Sequence, residues 1–397
     1  MSKDKYIARR YDTPLRDIEY TRIVYGSGKY GKDTIKLMKE VEERDYPREM
    51  EYSIFIGEMH GHTNLSDAIP DIDSYFRTAR DVAKLDFAAI TDHDHGGVFS
   101  SELWGKKWEI TKQKVKEYYK PGEFTTILGY ERDSYPWYNN LVIYYNSHDG
   151  ELFRGETDGE ITREELLDLL RRDDIILVPH TTSFLDSGTD FYSIPNELMT
   201  PLIEVYSRWG ADEYFDNPYP VRIGTRGGFW QDALRKGARM GCICGSDDHH
   251  GTPGLITENA HANLTYKYPG LTGVLAKENS VSAIFEALKA RRCYGFMGGR
   301  IYVDFRINGH YMGEEFDSMG ERHIYFKVDA DAEIKRITLV KNLEDYMYFL
   351  GFSNTHTYKK LVYDYDKVND TDIYYLRVEL VDGRFAWTSP IWINKNE

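Results

Sequence analysis

The sequence predicts an α/β fold in which a distorted, TIM-like barrel of about seven βα units precedes a small C-terminal all-β sandwich. Three observations lead there. Short apolar runs alternate with amphipathic helical patterns from residue 52 to about 300, the pattern then changes to strict alternation, and hairpin-type turns punctuate the remainder. The expected organisation is an N-terminal arm over 1–51 packing on the barrel, the barrel over 52–300 and the β-sandwich over 301–397.

The arm is polar and without sustained periodicity. Its Gly26-Ser27-Gly28-Lys29-Tyr30-Gly31-Lys32-Asp33 resembles a phosphate-binding loop, but Asp33 stands where a metal-binding hydroxyl belongs and would repel phosphates, so a Gly-rich turn is expected. In the barrel region, strands are expected over 54–57, 87–91, 126–130, 141–145, 175–179, 202–206, 241–245 and 271–275. Asp71 is placed to cap a helix whose apolar stripe runs Ile72, Phe76, Ala79, Val82 and Ala83. Thr162 and Glu165 form a capping box ahead of Leu166, Leu167, Leu169 and Leu170, and a third helix follows Asn279 with Ile284, Phe285 and Leu288 on its buried face. Beyond 300, Val303, Phe305 and Ile307 lead to Asn308-Gly309. Ile324, Phe326 and Val328 then alternate with polar residues, and Leu376, Val378 and Leu380 lead to Asp382-Gly383.

Composition bounds the function. The 397 residues are enough for two full cores, and 41% hydrophobic with 29% charged residues excludes a disordered chain. A net charge of -15 argues against extended nucleic acid as a partner. Three cysteines, Cys242, Cys244 and Cys293, are too few and odd in number for a disulfide framework, so reduced thiols in the cytoplasm are expected, with Cys242 and Cys244 packing inside a strand. The opening MSKDKYIARRYDTPLRD has no apolar signal region, and no run approaches the ~18 residues of a membrane span.

The chemistry lies at strand ends. His60-Gly61-His62 follows the first strand, with Asp67 five residues on; Thr91-Asp92-His93-Asp94-His95 ends the second, Glu131 the third, His180 the fifth, and Gly245-Ser246-Asp247-Asp248-His249-His250 the seventh. In a βα barrel these ends share one mouth. Imidazoles mixed with carboxylates suit Zn, Mn or Fe, and so many donors exceed what one tetrahedral ion uses, so two or three divalent ions are expected.

Taken in order, the H-x-H, Ser-Asp, Thr-Asp-His-Asp, Glu, Pro-His and Gly-Ser-Asp-x-His motifs resemble the PHP superfamily, named for polymerase and histidinol phosphatase, over roughly 54–255. Residues 75–83, 291–294 and 386–392 look like a subgroup of PHP proteins with a C-terminal β domain, which extends the similarity to nearly the whole chain. The resemblance implies a PHP-like distorted (β/α)7 barrel, a di- or trinuclear centre and phosphate-ester hydrolysis. It implies His60, His62, Asp67, His93, Glu131, His180, Asp247 and His249 as ligands. One position departs: Asn139, in Tyr138-Asn139-Asn140-Leu141-Val142, stands where the family usually has a histidine, and His148 lies beyond that strand.

The expected activity is a phosphoesterase in which a metal-bridged hydroxide attacks a small anionic phosphate ester. Asp247 would be a bridging or terminal ligand, and His250 would protonate the leaving oxygen. Asp92, Asp94 and Asp248 would orient imidazoles, and Arg208 and Arg132 would clamp the phosphate. The competing functions are hydrolysis of an amide, lactone or sulfate ester at the same centre, and a metal-stabilised module that binds carbohydrate or protein through its β domain. Neither a membrane nor an extended nucleic acid is expected as a partner; a homo-oligomer through β-domain edge strands is the contact foreseen.

Overall fold

The computed structural model describes residues 47, 49–94, 101–133, 137–138, 140–153, 161–184, 188–221, 224–257, 266–351, 353–366 and 368–395. Tyr52–Arg300 forms one compact unit and Ile301–Glu397 the body of the other. Residues 26–33, where a Gly-rich turn is expected, His95 and Asn139 lie outside the described residues. At the described end of the arm, Glu51 donates its backbone N–H to Tyr311 Oη at 3.1 Å, within the second unit.

In the first unit the elements run β1 (Ser53–Glu58), α1 (Ile72–Arg77), β2 (Phe87–Ile90), α2 (Ser101–Tyr118), β3 (Thr125–Asp133) and β4 (Asn140–Tyr145). They continue with α3 (Arg163–Arg171), β5 (Ile175–His180), β6 (Leu202–Ser207), β7 (Gly210–Ala211), α4 (Trp230–Arg235), β8 (Gly241–Cys244), β9 (Gly270–Ala276), α5 (Val281–Lys289) and β10 (Cys293–Met297). The capping signals act as the sequence implies. Asp71 accepts from Ser74 N at 2.7 Å, and Thr162 and Glu165 bond reciprocally at 3.2 and 2.7 Å. Helix α1 is shorter than its apolar stripe suggests, because a π-turn over Thr78–Val82 follows it and Ala83 N bonds back to Thr78 O. The wider turn rotates Val82 out of the stripe to 62% exposure while Ala79 stays buried.

A closed parallel barrel is not what the ladders form. Strands β1, β2 and β3 pair in parallel, but β4 lies antiparallel between β3 and β5, and β9 lies antiparallel to both β1 and β10. The connection from β3 to β4 is too short to hold a crossover helix, so it must be a hairpin. A separate ladder joins β6 in parallel to β8, with β7 antiparallel at its edge. Between β8 and β9 a side chain replaces a ladder: Thr272 Oγ1 accepts from Cys244 N at 3.1 Å and donates to Cys244 O at 2.7 Å. The backbones approach so closely there that a Cβ on Gly270 would lie 2.1 Å from Gly245 O. Met59, Phe87, Val142, Val178, Leu202 and Ile243 belong to the core that these ladders enclose. The three cysteines are buried free thiols.

The second unit contains two sheets. One has the order β12 (His310–Tyr311), β11 (Ile301–Ile307), β14 (Arg322–Ala330) and β17 (Thr357–Asp364). In the other, β18 (Thr371–Leu380) is flanked by β15 (Ile334–Lys341), which carries β16 (Glu344–Leu350), and by β19 (Phe385–Thr388) and β20 (Ile391–Asn394); β13 (Glu315–Asp317) pairs with β20. The sheets face each other through residues such as Phe326 and Phe349, whose rings lie 4.9 Å apart. Asn308 and Gly309 both take positive φ, 52° and 88°, as a two-residue hairpin requires.

Candidate metal centre

Parallel strand ends deliver the donors to one place. The segment after β8 is stitched to the segment after β1 by Asp247 N to His60 O at 3.0 Å and His62 N to Asp248 O at 2.8 Å, and His93 bridges Glu131 in parallel. Beneath them, buried Glu58 accepts from Ser246 N at 2.8 Å and His60 N at 3.2 Å. Burial pushes its carboxyl up to about 8 against those bonds. Two backbones here are strained. Asp247 and Thr181, the latter directly after His180, hold φ of 53° and 47°, a region in which β-branched residues are rare and which clusters at functional sites.

One donor group is His60, His62, Glu131 and Asp247, all buried. Glu131 Oε2 lies 3.1 Å from His60 Nε2 and 3.3 Å from His62 Nε2. Asp247 Oδ1 lies 3.7 and 3.0 Å from the same two atoms, which are 3.2 Å from each other. Bonds of about 2.0–2.1 Å to a tetrahedral ion set its ligand atoms roughly 3.3 Å apart, so these separations fit one. His62 Nδ1 is buried with no hydrogen-bond partner among the described residues. A second group, His62, Asp67, His93 and His249, opens to solvent: Asp67 is 59% exposed and lies 3.3 Å from His249 Nε2 and 3.9 Å from His93 Nε2. A third comprises His60, His180 and Glu204.

Electrostatics agree with a site built for cations. Burial alone would raise the Glu131 and Asp247 carboxyls, yet His93 and His180 around the first, and His60 and His62 around the second, hold both well below the usual range. Burial would lower His180, but Glu131 outweighs it and carries the imidazole up to about 10. Burial prevails at His93 and lowers it, whereas an imidazole placed as His180 is stays charged unless another cation takes its role.

The eight sequence-predicted ligands all meet in these groups. The expected catalytic residues do not join them. Asp92 spends both oxygens on the turn that carries Asp67, accepting from Thr63 N and Thr63 Oγ1 at 2.7 Å each and from Ser66 Oγ at 2.6 Å. Arg208 is buried and donates to Thr257 Oγ1 at 2.6 Å and Leu255 O at 2.9 Å, so it supports that loop. Arg132 donates to Phe153 O, and Asp248 accepts from Thr252. His250 is half-buried and belongs to none of the three groups. His148 bonds Thr126 O at 2.8 Å. Asn140, which opens β4, bonds Glu131 Oε1 through Nδ2.

Two contributors escape sequence inspection. Glu204 is the lone acid in the apolar run Leu202-Ile203-Glu204-Val205-Tyr206, a buried carboxylate that must have partners. Trp209 sends its indole N–H to Asp247 Oδ2.

Residues 239–326 match a family model described as a protein of unknown function, DUF3604. An uncharacterized protein of Chlamydia pneumoniae is 26% identical over 368 residues, covering 86% of this chain and 57% of its own length. One of Chlamydia muridarum is 27% identical over 383 residues with the same coverage. The chain therefore spans 57% of the length of the curated relatives it matches. Among solved structures, a two-domain protein containing a predicted PHP-like metal-dependent phosphoesterase from Bacteroides vulgatus aligns at 14% identity with a TM-score of 0.45, over 88% of this chain and 97% of that one.

Proposed function

We propose that this protein is a metal-dependent hydrolase of a small anionic ester, with phosphate esters as the first substrate class. The convergence of His60, His62, Glu131 and Asp247 at 3.0–3.7 Å carries the reading, since that donor set suits Zn, Mn or Fe. His60, His62, Glu131 and Asp247 would hold one ion; Asp67, His93 and His249 a second, more exposed one; His180 with Glu131 Oε1, 3.0 Å apart, offers donors for a third. Divalent ions there supply Lewis acidity and lower the pKa of a bound water. The chain's own residues fix the donors. Asp92 secures the turn that carries Asp67, Glu58 joins the His60 and Ser246 backbones, and Asp248 anchors Thr252.

The hydrogen bonds of Arg208 to Leu255 O and of Arg132 to Phe153 O favour a second reading, in which the same centre hydrolyses a sulfate ester, lactone or amide, because part of each guanidinium already serves the protein's own carbonyls. The decisive experiment measures metal content and then assays Mn- and Zn-loaded protein against phosphomonoesters, phosphodiesters, sulfate esters and lactones. Turnover of phosphoesters supports the first reading. Turnover confined to another class establishes the second, and a protein that takes up no metal overturns both.

A further inference from the structure

We propose that Glu204 is a positioning residue: a single buried carboxylate whose two oxygens face the Nδ1 atoms of His60 and His180 and thereby aim both Nε2 atoms at Glu131. The inference rests on the reading that divalent ions occupy the groups around Glu131.

Glu204 sits in the middle of β6 and is 2% exposed. Its Oε2 bonds His60 Nδ1 at 3.0 Å; its Oε1 faces His180 Nδ1 at 3.4 Å, an ion-pair separation without the geometry of a formed hydrogen bond, and neither of those last two buried atoms has a hydrogen-bond partner among the described residues. On their far sides the same rings present Nε2 to different oxygens of Glu131, His60 to Oε2 at 3.1 Å and His180 to Oε1 at 3.0 Å. The two rings meet edge to face, 83° apart with centroids at 4.6 Å. A neutral imidazole carries one N–H and one lone pair, whereas an ionised carboxylate only accepts. With Glu204 against both Nδ1 atoms, the protons belong at Nδ1 and the lone pairs at Nε2, on the side of the other donors. Were Glu204 instead a ligand of an ion shared with His60, His60 would have to serve ions through both nitrogens and give up both protons. A carboxylate that braces two ligating imidazoles from behind requires no such loss.

Glu204→Gln separates these roles. Glutamine keeps one acceptor oxygen but puts an NH2 where the other oxygen was, so one imidazole must move its proton to Nε2 and block its own lone pair. Full-length protein, stripped of metal and titrated with Zn, should bind 10- to 100-fold more weakly as the variant, yet reach wild-type stoichiometry at saturation. Histidine-selective 15N NMR of Zn-loaded wild-type protein should show Nδ1–H on both His60 and His180, a measurement that needs no variant to fold. Equal Zn affinity of variant and wild type, saturation of the variant at one ion fewer, or metallated Nδ1 at either histidine would each overturn the role proposed for Glu204. Wild-type protein that takes up no Zn would instead overturn the metal reading beneath it.

Discussion

Trp209 donates its indole N–H to Asp247 Oδ2 across 2.5 Å, while Asp247 Oδ1 faces His62 Nε2 at 3.0 Å. One carboxylate is thus divided between a fixed donor and the donor cluster. Trp209→Phe keeps the aromatic body of a partly buried residue and removes only that bond, so Oδ2 is free to turn inward. Zn affinity should fall about 10-fold, the lower end for loss of a partner behind a ligand. A competition titration of both proteins measures this, and equal affinities would show that the indole contributes nothing to Asp247. Wild-type tryptophan fluorescence should also respond to Zn through Trp209, a response the variant loses.

Asp247→Asn tests the ligand itself with little change of shape. Asparagine tolerates positive φ, so the backbone at 53° need not rearrange. The amide lacks one of the charges that hold the His60 and His62 imidazoles up, where Glu204 acts first on His60 and Asp247 on His62, with Glu131 beside both. Metal content by mass spectrometry should drop by at least one ion per chain. Full metal content in the variant would remove Asp247 from the ligand set.

Much of this site is legible in the sequence because its donors cluster locally: His60 and His62, then Asp247 and His249, each pair two positions apart at a strand end. Glu204 is not legible, since its partner His60 is 144 positions away and nothing near it in sequence marks it as polar machinery. Asp92 and Arg208 show the opposite difficulty. Their proximity to the site follows from the motif, but whether an acid orients an imidazole or clasps a turn depends on which donors face it. The fold divides the same way. Alternating strands and helices follow from periodicity, whereas strand direction does not, because an apolar run looks the same in either orientation. Hence β4 and β9 break the expected parallel order. The hairpin at Asn342 and Leu343, with φ of 52° and 66°, has no glycine to announce it; Asn342 supports it by donating to Asp372 at 2.8 Å and accepting from Ile373 N.

Gly270→Ala should disturb the centre from behind. The added methyl would lie 2.1 Å from Gly245 O, and Gly245 immediately precedes Ser246 and Asp247. Backbone cannot yield as a flexible side chain does, so β8 must shift, at about 1–3 kcal/mol for overpacking. Lower thermal stability together with weaker Zn binding is expected. Stability that falls while Zn affinity holds would show that the β8–β9 contact does not set the position of Asp247.

In the second unit a buried charge cluster predicts a pH dependence of its own. Asp364 accepts from Lys341 Nζ at 2.7 Å and Tyr374 Oη at 2.7 Å, with Arg322 Nη2 at 3.1 Å, and the Arg322 and Asp364 side chains are fully buried. Burial works to raise the carboxyl, but the bonds from Lys341 and Tyr374 prevail and hold it below its ordinary 3.8. A group depressed on folding contributes stability that is fully present above 3.8 and lost as pH falls through the depressed value, because the unfolded chain takes up the proton first. Asp364→Asn removes the charge and leaves Lys341 and Arg322 short of a buried partner, at a cost of about 3–5 kcal/mol at neutral pH. Hydrogen exchange of β14 and β17 amides, followed from pH 7 downward, should therefore show wild type losing protection in the acid range. The variant should start less protected and change less over the same range. Parallel pH profiles for the two proteins would locate the acid sensitivity of this unit in groups other than Asp364.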